Sequence, residues 1–77
     1  MRKVSRIKVQ DILKIRPGET VEFLLPTGKN RASGLVTAYK MPILHPRDDV
    51  ARYKCKQLAP TPKGFPVAIT AVPYDKE

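Results

Sequence analysis

Eight prolines are spread through a chain of 77 residues, at positions 17, 26, 42, 46, 60, 62, 66 and 73. Proline has no N–H for a helix interior or a central strand ladder, and it pushes the preceding residue away from helical backbone. The longest stretches free of it are 1–16 and 27–41. Only short elements fit between these stops, so the chain predicts a small mixed domain built from one moderate helix and several short strands.

Within those limits the apolar spacing places the elements. Val9, Ile12 and Leu13 recur at helical spacing, and Arg16-Pro17-Gly18 ends the pattern, which predicts a short helix over 9–15. Residues 19–25 alternate, with Val21, Phe23 and Leu25 inward and Pro26 as the stop. Ala32, Leu35, Val36 and Tyr39 make an i, i+3, i+4, i+7 stripe, the mark of an amphipathic helix over 29–41 with that stripe facing the core. Pro42 and Pro46 then bracket an expected loop over 41–49. Strict alternation over 50–58 and the β-branched run 67–72, separated by the turn segment 59–66, read as a hairpin. The expected fold is therefore α+β: one small domain over 1–77 in the order α-β-α-β-β. A three-stranded sheet carries the amphipathic helix on one face, as two packed layers require. A basic N-terminal arm over 1–8 and a polar tail over 74–77 flank it.

Composition narrows the class. The chain is 42% hydrophobic and 29% charged, enough apolar surface for one thin core at this length. It has one cysteine, Cys55, which has no internal partner for a disulfide. That pattern predicts a reducing, cytoplasmic setting. The charged N-terminus is not followed by the apolar run of an export signal, and no run approaches the roughly 18 residues of a membrane span. Fifteen Lys and Arg against seven Asp and Glu give a net charge of +8. A field of that sign attracts polyanions, although cations also serve simply to keep a small domain soluble.

Placement of the charges decides between those readings. With Tyr53 and Cys55 inward, Arg52, Lys54 and Lys56 stand in a row on the opposite, open face of the sheet, about 6.6 to 6.8 Å apart. Successive phosphates along one nucleic-acid strand are separated by a comparable distance, so the row can track a backbone. The competing expectation is that Glu22 and Glu19 sit opposite these cations as cross-strand partners. Lys29, Arg31 and Lys40 flank the long helix, whose N-terminus favours anions. Arg2, Lys3, Arg6 and Lys8 form the arm, which can lie along a backbone or enter a minor groove. Phe23, Tyr39 and Tyr53 are all expected in the core and only Phe65 and Tyr74 remain, both near strand ends, so no aromatic platform for stacking single-stranded bases is left. Duplex DNA, contacted through its phosphates, is the favoured partner.

Signs of catalysis are missing from the sequence. His45, the one histidine, lies near Asp48 and Asp49 in a proline-bounded loop and is read as solvated, because a metal site needs three or four convergent ligands. Ser5 and Ser33 have no base at motif spacing, and Gly28-Lys29 lacks the earlier glycine of a phosphate-binding loop. Neither an enzyme, a metal nor a cofactor is expected. The rival reading is a protein-interaction module that binds an acidic partner surface, with the apolar loop Met41-Pro42-Ile43-Leu44 as its anchor. Attachment to an anionic membrane lacks the strongly amphipathic basic helix it needs.

Overall fold

In the computed structural model, which describes residues 1–74, six elements follow one another. They are β1 (Arg2–Lys3), α1 (Val9–Leu13), β2 (Thr20–Leu25), α2 (Gly28–Leu44), β3 (Arg52–Gln57) and β4 (Phe65–Val72). The strands form a single sheet in the order β1-β2-β4-β3. β1 runs parallel to β2, whereas β2 with β4 and β3 with β4 are antiparallel. The α+β architecture is as expected, but the sheet has four strands instead of three. The polar tail expected over 74–77 lies, beyond Tyr74, outside the described residues.

The fourth strand comes from the arm. Arg2 lies opposite Phe23 and Lys3 opposite Leu24, and Val4 N–H continues the ladder to Leu24 C=O at 3.0 Å. Two exposed cations carry no alternation, so backbone hydrogen bonds alone define β1 and nothing in the side chains announces it. Beyond it Ile7 is buried, and Asn30 Nδ2 donates to Ser5 C=O at 2.9 Å. The segment expected to be a basic arm is thus docked along the sheet edge and under α2.

Alternation in the other strands behaves as expected. Phe23 and Leu25 on β2, Val67, Ile69 and Ala71 on β4, and Tyr53 on β3 are buried, with Val21 and Cys55 packed against them. Burying one face of a sheet sets its register, because a slip of one residue would turn every apolar side chain to solvent. Ile12 and Ile15, from α1 and the turn after it, complete the core with Leu35, Ala38 and Met41 of α2.

α2 departs from expectation in facing and in length. The buried side is Gly34, Leu35, Ala38 and Met41, while Val36 and Tyr39 are more than half exposed and Ala32 is exposed. At 100° per residue the helix is turned by about a third of a rotation from the predicted stripe. Close approach explains it: a Cβ on Gly34 would lie 2.6 Å from Ile7 Cδ1. Small side chains, not the most apolar ones, let the helix settle onto the N-terminal segment. The helix also runs through Pro42 instead of ending before it. Only one turn remains after that proline, and His45 N–H closes it onto Met41 C=O at 2.8 Å. Ile43 and Leu44, expected in a loop, therefore sit on the last turn and point to solvent.

Candidate nucleic-acid interface

On the face of the sheet away from α2, register brings residues into rows. Lys56, Ala68 and Glu22 share one row, Lys54, Thr70 and Thr20 the next, and Arg52 lies beside Val72. Arg52, Lys54 and Lys56 are all exposed. Between them and β2 the face is low: Ala68 is a methyl, and Thr20 and Thr70 join hydroxyls at 2.7 Å. Glu22 is two strands from Lys56, about 10 Å across the ladder. Among the described residues the one ion pair is Arg47 with Asp49, so neither Glu22 nor Glu19 pairs with the β3 row. Glu19 is used locally instead, its Oε1 accepting from Arg16 N–H at 3.0 Å.

The far side of this face carries two more cations. Lys3 is paired with Leu24 and so shares its outward side. Lys63, in the turn before β4, lines the same hollow as Lys3 and Leu24. That turn folds over Leu24, which is outward as expected but buried to 7% exposure. The close seat depends on Gly64, whose φ of +148° suits glycine and whose Cβ, if present, would meet Leu25 C=O at 2.5 Å. Lys63 is not among the residues that the sequence singles out. Its only cue is position, a lysine in a Pro-Lys-Gly turn at the end of a hairpin.

The remaining cations lie elsewhere. Arg2 is opposite Phe23, hence on the helix side, and borders a hollow with Lys14, Arg16, Asp11 and Glu19. Arg6 and Lys8 border a groove between the N-terminal segment and α2. Lys29 and Lys40 are exposed on α2, away from the sheet. The ten cations singled out from the sequence thus divide between opposite faces, and one straight ligand cannot touch them all.

Arg31 is occupied inside the fold. Its Nη1 donates to Leu58 C=O at 2.8 Å and to Pro66 C=O at 3.1 Å, and the guanidinium lies 5.3 Å from the Phe65 ring centroid. Leu58 stands opposite Pro66 by extension of the β3–β4 register, and Leu58 N–H reaches Pro66 C=O at 3.2 Å. The return bond to Leu58 C=O would come from residue 66, which as proline has no N–H. Arg31 supplies that donor, a structural duty that its place among flanking cations does not reveal.

Arg47 has a similar duty. It donates to Ile15 C=O at 2.7 Å and to the Tyr53 hydroxyl at 3.2 Å, and grips both Asp49 oxygens. Burial works against its charge, but the bonds to Tyr53 and Asp49 outweigh that and hold the guanidinium above its ordinary pKa. Burial pushes the Cys55 thiol up to about 11, so it is protonated at neutral pH. His45 is exposed at the end of α2. Among the described residues no cluster of three His, Cys, Asp or Glu is placed to hold a metal ion, and no helix is long and apolar enough to cross a membrane.

Phe23 and Tyr53 are buried, Phe65 lies under Arg31, and Tyr39 is exposed on α2, contrary to its expected place in the core. Tyr74 is exposed beyond the end of β4, beside Pro17, Asp48 and Asp49, so the strands themselves present no aromatic ring on the open face among the described residues. Comparison with protein-family models, with curated proteins and with solved structures finds no match to this chain.

Proposed function

We propose that the chain is a non-enzymatic nucleic-acid-binding protein that holds duplex DNA by its phosphate backbone on the open face of the sheet, in a reducing cytoplasmic setting. The observation that carries this reading is the exposed row Arg52, Lys54 and Lys56, which has no acidic partner among the described residues. Like charges aligned on one strand repel, and an anionic ligand relieves them. Lys3 and Lys63 on the far side, with Ala68, Thr70 and Thr20 between, support a low trough with cations at both margins. Lack of an aromatic platform favours a duplex over stacked single-stranded bases.

The test is a titration of duplex DNA, duplex RNA and single strands at two salt concentrations. Changing Arg52, Lys54 and Lys56 together to Ala is expected to leave the circular dichroism spectrum unchanged and to lower duplex DNA affinity about 100-fold at low salt. The slope of log affinity against log salt should fall by about 2 to 3. Unchanged affinity in this triple variant would remove the sheet face from consideration.

A further inference from the structure

We propose that the outward side of α2 is a docking surface for an acidic amphipathic helix of a partner protein. This surface lies on the side opposite the sheet face and does not depend on the nucleic-acid reading. Ala32, Val36, Tyr39 and Ile43 are spaced i, i+4, i+7 and i+11, and so form one stripe along the helix. Tyr39 is 58% exposed and Ile43 80%, with Val36 and Leu44 also open to solvent. A lone exposed apolar side chain is ordinary; a continuous row along one 17-residue helix is a binding seam.

Charge identifies the occupant. α2 contains no acidic residue, and its two exposed lysines, Lys29 and Lys40, lie on the same flank of the stripe at 100° per residue. Next on that flank come Ser33 and Thr37, the wall of a hollow of about 420 Å³ bordered on its other side by Arg6 and Lys8. None of the residues lining that hollow is acidic. The surface is thus an apolar seam with four cations along one side, while the one cation of α2 on the other flank, Arg31, is turned inward onto Leu58 and Pro66 C=O. A helix with an apolar stripe and acids along one flank matches it in one orientation.

Two other occupants fit less well. A second copy of this chain would bring together two cationic flanks on bodies of net charge +8, with no acid on either helix to relieve them. An anionic membrane selects helices rich in cations across the polar face beside a bulky apolar face. Here the cations keep to one side. From Ala32 to Ile43 the seam is about 17 Å long at 1.5 Å per residue, too small to bury the roughly 800 Å² per partner of a standard stable interface, which points to a transient complex.

The test uses the full chain and two labelled synthetic helical peptides of identical composition. Both have leucines matched to the stripe, one with glutamates on the matching flank and one with them on the opposite flank. Anisotropy titrations should show the matched peptide binding at least about tenfold more tightly than the other. Changing Tyr39 and Ile43 together to Ser should weaken the matched peptide at least about tenfold. These residues are exposed, so the fold survives, which circular dichroism checks. Changing Lys29 and Lys40 together to Glu should transfer preference to a lysine-flanked version of the matched peptide. Equal binding of both glutamate peptides, or none, overturns the proposal. So does sedimentation showing a dimer that the Tyr39 and Ile43 changes abolish, or capture by phosphatidylserine vesicles that the same changes abolish.

Discussion

The two arginines with the most internal hydrogen bonds show how little a residue's type says about its task. By sequence Arg31 belongs with the helix-flanking cations, yet its guanidinium repairs the ladder where Pro66 has no N–H to give Leu58 C=O. A charge-assisted bond to a part-buried carbonyl is worth about 1.5 to 3 kcal/mol. Arg31→Ala should therefore lower unfolding free energy by about that amount in urea titrations. Restoring the N–H with Pro66→Ala in the same chain should recover part of the loss, because the backbone at position 66 can then donate to Leu58 directly. If the two losses simply add, Arg31 is not standing in for the missing donor. Arg47 escapes a sequence reading for the converse reason: Asp49 and Tyr53 are near it in the chain, but Ile15 C=O lies 32 residues away and only the fold brings it within reach.

Among the elements, β2, β3 and β4 were legible, β1 was not, and α2 was legible only in existence. Period-2 alternation reports facing directly, and Tyr53, Ile69 and Phe23 all point where it says. Helical facing depends in addition on how near the helix must come to its neighbours. Gly34 and Ala38 are poor markers of a core by hydrophobicity, but they face Ile7 and the sheet because larger residues would hold α2 off. Gly34→Ala tests this. Helix propensity alone predicts a gain of up to about 1 kcal/mol. The clash with Ile7 at 2.6 Å should reverse the sign, giving a net loss of about 1 kcal/mol. Ile7→Val removes the nearest atom, Cδ1, and should make the double variant more stable than the sum of the two single changes. A more stable Gly34→Ala single variant would mean that the close approach does not choose the buried side.

At the scale of the whole molecule, the sheet and α2 present two surfaces of different character. One is a low trough between cations; the other is an apolar seam with cations on one flank. Net charge alone would make them equivalent attractors for a polyanion. Changing Lys29 and Lys40 to Glu alters the charge by two at each site, taking the net from +8 to +4. Changing Arg52, Lys54 and Lys56 to Ala removes only three charges. Duplex DNA should nevertheless lose about tenfold more affinity in the second variant than in the first, read by anisotropy at one salt concentration. Losses that are equal, or larger in the Lys29 and Lys40 variant as net charge alone dictates, would mean a diffuse field without a contact face.

Alternation and proline punctuation determined by themselves that a cationic row would stand on an exposed sheet face, because strand geometry alone sends neighbouring side chains to opposite sides. Residues that act through their own backbone period were therefore readable. Tertiary structure alone decided that Arg2 and Lys3 would form a parallel edge strand, that Arg31 would be spent inside, and that α2 would turn Tyr39 and Ile43 outward. Each of those outcomes depends on backbone partners or available volume supplied by residues distant in the chain, and neither quantity is carried by the local order of side chains.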